Sequence, residues 1–205
     1  MKKSVGFLII LFIAVIVVNA WSIVSLLDQY NIYNEASQNN ILSVETVEKS
    51  NAQMQMLSVA QLILYFLVFV SFCLWFYGVH EDLESFGVKD LKYSHNQTFW
   101  GFVIPIVNIV RPYKIANEVW IESSVDEKQR KKSPVVLLWW SCVILSMVFG
   151  YASGVFVAFS DNVEMFKNSI LLLTVADGLV ILASIFAFSM IRKIEKKQKQ
   201  RYAAN

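Results

Sequence analysis

Charge is missing from this chain in long blocks. No Asp, Glu, Lys or Arg occurs from Ser4 to Leu27, from Ser50 to Val79 or from Ser133 to Ser160, and Asp177 alone interrupts the run from Asn168 to Ile191. Roughly 20 apolar residues in an α-helix cross a hydrocarbon core about 30 Å thick. In lipid an unpaired backbone group is costly, so a single apolar run can cross only as a helix. The four blocks therefore predict transmembrane helices over residues 6–27, 57–79, 134–159 and 168–191. The expected fold is all-α, an integral membrane bundle of four transmembrane helices forming one membrane domain over 1–205. A charged content of 17%, against the quarter usual in soluble domains, agrees.

The first block has a second reading. Met1-Lys2-Lys3 and the apolar run to Val18-Asn19-Ala20 have the layout of a secretory signal with a small-residue cleavage site. The run continues past Ala20 through Trp21 to Leu27, which favours a retained span. Either way residues 28–56 fall on the far side of the membrane. Basic residues give the orientation. All 18 Lys and Arg except Lys49 and Lys167 lie before the first span, between His80 and Ser133, or in the tail 192–205. The positive-inside rule then places both termini in the cytoplasm of a cell-membrane protein.

Residues 28–55 contain no Pro or Gly, so helical extensions of the first two spans are expected there, with a turn near Ser37-Gln38-Asn39-Asn40. Trp75, Tyr77, Trp139 and Trp140 fall at span ends, where amphipathic rings favour the interface. Cys73 and Cys142 lie inside spans and read as small packing residues. Ser146, Gly150, Gly154 and Ala158 recur every four residues, a small-residue stripe suited to close helix packing, within the bundle or against a second copy.

Phe99 to Trp120 is different in kind. Phe99–Val110 is apolar but reaches only about 18 Å as a helix, too short to span. It reads as an interfacial or re-entrant half-helix on the cytoplasmic face. Pro112 suits the start of a new helix and disfavours helical backbone at Arg111, so a break is expected there. Beyond it Ile115, Ala116, Val119 and Trp120 share one face, with Lys114, Asn117, Glu118 and Glu122 on others, as in an amphipathic helix at the headgroup boundary. Arg111 would sit at phosphate depth, as a headgroup or carboxylate ligand or as a snorkelling anchor.

Trp100, Pro105, Asn108, Pro112, Glu118 and Trp120 form a Pro-x-x-Asn-x-x-x-Pro loop followed by an acid and a Trp, between paired spans. This pattern resembles the signature of a bacterial membrane family catalogued as domain of unknown function 4328. The resemblance implies the paired-span architecture and supplies no chemistry.

Asp177 lies nine residues from Asn168, roughly 13 Å into the core and near its middle. An ionisable group there is a functional-site hypothesis by default. It can carry a proton or a cation, or serve structurally as a protonated partner of Asn19 or Ser146, which lie at similar depth. Pairing with Arg111 requires the half-helix to dip inward. His80, Glu81, Asp82, Glu84 and His95 match no metal-ligand spacing, and no metal or cofactor is expected. Walker, nucleophile-elbow and zinc-protease motifs are missing. The sequence thus points to a non-enzymatic multi-pass protein acting as an interaction, scaffold or regulatory subunit through Trp100–Trp120. The alternative is a small transporter or channel-like protein using Asp177 with Asn19 and Arg111. Expected partners are the bilayer, anionic headgroups, another membrane protein or a second copy, and not nucleic acid.

Overall fold

The computed structural model describes residues 3–39, 43–88, 91–93, 109–126, 130–160 and 162–204. Among these residues the chain forms helices α1 (Lys3–Asn39), α2 (Val44–Ser85), α3 (Arg111–Glu122), α4 (Pro134–Ala158) and α5 (Val163–Ala204), and no strand. α1, α2, α4 and α5 are each long and apolar enough to cross a membrane, and each covers one of the four predicted spans, the third all but Phe159. α4 has 25 residues, a rise of roughly 38 Å. α1 and α2 have 37 and 42, giving roughly 55 and 63 Å, about twice the hydrocarbon thickness.

The excess length follows from the sequence. With no Pro or Gly to stop it, α1 runs on to Asn39 and α2 is already helical from Val44, so the extensions are present; Ser37, Gln38 and Asn39, expected in a turn, are helical, and Asn40 lies outside the described residues. α2 stops at a glycine. Gly87 adopts φ +78°, its N–H donates to the Glu84 carbonyl at 2.9 Å, and the Val88 N–H donates to the Leu83 carbonyl at 3.3 Å. That pair of bonds is a Schellman ending, which needs the left-handed backbone glycine allows. Helix α3 begins one residue earlier than expected. Arg111 is its first residue, and the Lys114 N–H donates to the Val110 carbonyl at 3.2 Å to close the first turn. That turn offsets the steric cost of a helical residue before Pro112, and the break falls ahead of Arg111.

The chain packs as two compact units, residues 1–12, 67–141 and 185–205 in one and 13–66 and 142–184 in the other. The first unit is built on aromatic rings. Phe72 packs against Trp75, Phe76 and Trp139 with centroids 5.6, 5.6 and 5.4 Å away, and Phe12 meets Phe72 edge-on at 6.5 Å. Trp75, Trp139 and Trp140 are buried within the chain. Their polar edges explain why. The Trp75 indole N–H donates to Glu195 Oε1 at 2.9 Å and that of Trp140 to the Ile109 carbonyl at 2.7 Å, so burial leaves neither donor unpaired. Tyr77 alone of the four is exposed. Cys73 and Cys142 are free and buried.

The second unit carries a polar seam. On α1, Asn19, Ser22, Ser25 and Gln29 are all buried, while Trp21, Val24 and Leu27 between them are exposed. On α2, Leu62, Ile63 and Phe66 are exposed in the same stretch that holds Gln61. Apolar side chains outward and polar side chains inward is the inverse of a soluble bundle, and it suits hydrocarbon surroundings.

Candidate functional site

Asp177 is 5% exposed and stands in a cluster drawn from three helices of the second unit. Gln61 Nε2 on α2 lies 3.3 and 3.4 Å from its two carboxyl oxygens and 3.2 Å from Asn19 Oδ1 on α1. The Tyr65 hydroxyl donates to Asn19 Oδ1 at 2.6 Å, and the Asn19 amide donates to the Val15 carbonyl of its own helix at 2.8 Å. Ser22 is a further hydrogen-bond partner of the acid. Asn19 thus joins Asp177 through Gln61, the bridge that sequence reasoning missed. The clue was present: Gln61 and Tyr65 sit four apart, on one face of an otherwise apolar run. Ser146 does not join the cluster. Its hydroxyl is spent on the Val143 carbonyl of α4.

The seam continues along the α1–α2 pair. Gln53 Nε2 donates to Ser25 Oγ at 2.8 Å, and Gln29 Nε2 donates to Asn51 Oδ1 at 3.0 Å. Beside it lies a cavity of about 180 Å³ whose lining includes Ser25, Asp28, Lys49 and Gln53. Farther out, Lys167 donates to Asn34 Oδ1 at 2.9 Å, pairs with Glu164 at 3.0 Å, and lies 5.3 Å from the Tyr30 ring centroid.

The second candidate is α3, in the first unit. Trp100, Pro105 and Asn108 lie outside the described residues, so the part of the motif that can be described is Pro112, Glu118 and Trp120, with Arg111 beside them. Pro112, Ile115, Ala116, Asn117 and Val119 are buried, and Lys114 is exposed. Glu118 accepts hydrogen bonds from the backbone N–H groups of Lys92 and Tyr93. Burial nevertheless holds its carboxyl above the usual range, outweighing those bonds. Asn117 Oδ1 accepts the Ser133 N–H at 3.3 Å, tying α3 to the start of α4.

The C-terminal end of α3 is capped by side chains of α5. Lys197 Nζ donates to the Trp120 carbonyl at 3.0 Å and lies 3.9 Å from the Trp120 ring centroid. Arg201 donates to the Glu122 carbonyl, and Gln198 donates to Ser123 Oγ at 3.4 Å and to the Val79 carbonyl at 2.9 Å. Cations at unpaired helix-end carbonyls oppose the negative end of the helix dipole. The tail basics that composition presented as topology determinants are here also structural ligands. Trp120 and Glu118 are therefore committed inside the chain, whereas Ile109 and Val110, 60% and 49% exposed, adjoin Arg111 at the open start of α3.

Gly150 and Gly154 are not at a close approach within the chain. A methyl group built on either meets no atom within 4 Å among the described residues. No group of three or more His, Cys, Asp or Glu that could hold a metal occurs among the described residues.

Comparison with curated proteins and with solved structures returns no match. A family model does match. It extends over residues 38–196, which takes in α2, α3 and α4, most of α5 and Asp177, and leaves Asn19 and Ser22 outside it. The protein is a multi-pass membrane chain that belongs to the family described as domain of unknown function, DUF4328.

Proposed function

We propose that the protein is a non-enzymatic interaction, scaffold or regulatory subunit of the cell membrane, with both termini cytoplasmic, working through the cytoplasmic-face segment that ends in α3. The observation that carries this is the asymmetry of α3. Its far end is tied to α5 by Lys197, Gln198 and Arg201, while its start exposes Ile109 and Val110 next to Arg111 and Lys114. Two exposed apolar side chains beside two basic ones, on a helix held in place, suit an anionic headgroup layer or a partner membrane protein. Arg111 supplies the fork for a phosphate or carboxylate. The test is mild extraction of wild type and Arg111→Ala from native membranes, with mass spectrometry of co-purifying protein and lipid. A stoichiometric species lost in the variant supports the proposal; identical species with both chains end it.

The Asp177 cluster favours a second reading, a small transporter or channel-like protein with Asp177, Asn19 and Arg111 as polar stations. Vesicles carrying Asp177→Asn should then lose ion flux while the protein stays folded.

A further inference from the structure

The Asp177 cluster has more acceptors than donors. Gln61 Nε2 faces three oxygens, Asn19 Oδ1 at 3.2 Å and the Asp177 carboxyl oxygens at 3.3 and 3.4 Å. Two amide hydrogens serve three acceptors poorly, and the two lengths to the carboxyl lie beyond the usual N–H···O range. The other donors are turned elsewhere, the Tyr65 hydroxyl to Asn19 Oδ1 and the Asn19 amide to the Val15 carbonyl. Ser22 adds a single O–H.

Among the described residues no cationic side chain pairs with the acid. Lys167, ten residues along α5 from Asp177, is held by Glu164 and Asn34, and Lys49 lines the cavity beside Asp28. Along α1 the nearest charge is Asp28, six residues from Ser22, and the stretch of α4 in this unit carries none. Tyr65 is the other titratable group facing the cluster. A carboxylate so placed in hydrocarbon needs a proton or a cation.

We propose that Asp177, Asn19, Ser22 and Gln61 form a binding site for one alkali cation, which replaces the proton of the Asp177 carboxyl. On exchange the carboxyl O–H bond breaks, the proton leaves to water, and the ion takes its place, so the charge of the cluster is unchanged. One carboxylate neutralises one positive charge, and a divalent ion would leave a net charge in the membrane. The ligands are all hard oxygens once Gln61 rotates its amide by half a turn and presents Oε1 where Nε2 now stands. Asn19, Ser22 and Asp177 are each at most 5% exposed and Gln61 is half-buried, so three of the four ligands are walled from lipid. Access is built in. Ser22, Ser25 and Gln29 continue the polar line of α1, and Asn19 to Gln29 covers roughly 15 Å toward the cavity that holds Asp28.

This deepens the second reading above, and the two are separable, because binding is measured at equilibrium and flux is not. The full chain is purified in detergent and its thermal unfolding recorded in NaCl, KCl and choline chloride at equal ionic strength, across neutral to alkaline pH. Wild type should show a midpoint raised by Na⁺ or K⁺ over choline, saturating with the ion and reached at lower concentration as pH rises. The rise should vanish in Asp177→Asn and need a higher concentration in Ser22→Ala, which keeps the acid. The same midpoint in all three salts overturns the proposal, as does an undiminished rise in Asp177→Asn. Should Asp177→Asn not fold, a Ser22→Ala response equal to wild type overturns it. Binding with no flux in vesicles retires the transport reading and leaves the site.

Discussion

Tyr65→Phe removes one hydroxyl from the buried cluster and keeps the ring, so it isolates a single interhelical hydrogen bond. That bond, from Tyr65 to Asn19 Oδ1, is 2.6 Å long. Interhelical hydrogen bonds in membrane proteins average about 0.6 kcal/mol and reach about 1.7 kcal/mol in double-mutant cycles. A short bond with a fully buried acceptor belongs near the top, so a loss of about 1–1.7 kcal/mol is expected. Asn19→Leu should cost more, about 2–3 kcal/mol, because it orphans both the Tyr65 hydroxyl and one contact of Gln61. On the Asn19→Leu background Tyr65→Phe should be neutral or stabilising, since it then removes a hydroxyl that has lost its partner. The assay is reversible unfolding of the purified chain in mixed micelles of rising SDS content, followed by helical circular dichroism, for both single variants and the double. A coupling energy below about 0.5 kcal/mol, the additivity error of independent sites, would refute the bond and the placement of α1 against α2.

Three further perturbations probe the rest of the molecule. Lys197→Met keeps the stem of the side chain but removes the ammonium that serves both the Trp120 carbonyl and ring. It should weaken the last turn of α3 by about 1–2 kcal/mol, seen as roughly 5- to 30-fold faster amide exchange there. Glu118→Gln should stabilise at neutral pH. Burial raises the folded-state pKa of Glu118, so its favourable contribution is complete below 4.5 and is lost as pH rises. Wild type and variant should therefore converge on acidification, and a gap that widens in acid would contradict the burial argument. Gly150→Ala and Gly154→Ala meet open space, so each should leave unfolding unchanged or improve it slightly by helix propensity. Marked destabilisation would instead mean that a second chain packs on that face.

Length and placement of the membrane helices were legible because both are one-dimensional signals. A run without charge announces a span, and a stretch without Pro or Gly, such as 28–55, announces that the helix goes on. What each side chain touches was not legible, because that depends on how helices rotate against one another. Asp177 stood out as the lone acid of its run, yet its partners were assigned by depth alone. Depth put Ser146 beside it, whereas the Ser146 hydroxyl turns back on its own helix and Gln61 makes the link. The motif around α3 hid its partners in a similar way. Glu118 meets backbone N–H groups at Lys92 and Tyr93, and Trp120 meets the ammonium of Lys197, 77 residues away along the chain. The partners of the buried tryptophans were hidden for the same reason, since nothing local to Trp75 predicts Glu195.

Three of the cross-links of the α1–α2 pair have a consequence for assembly. Residue 19 meets 61, 25 meets 53, and 29 meets 51, so one number falls as the other rises and their sum stays nearly constant, as teeth mesh on two racks run past each other. Lipid offers no preference between one alignment of two apolar helices and the next, and sliding by a turn would cost their greasy faces little. It would cost these teeth all at once, leaving Asn19, Gln29, Asn51, Gln53 and Gln61 without their partners. The depth at which each helix settles against its neighbour is thereby counted out by amides, and Asp177 arrives opposite Gln61 because that count has been kept.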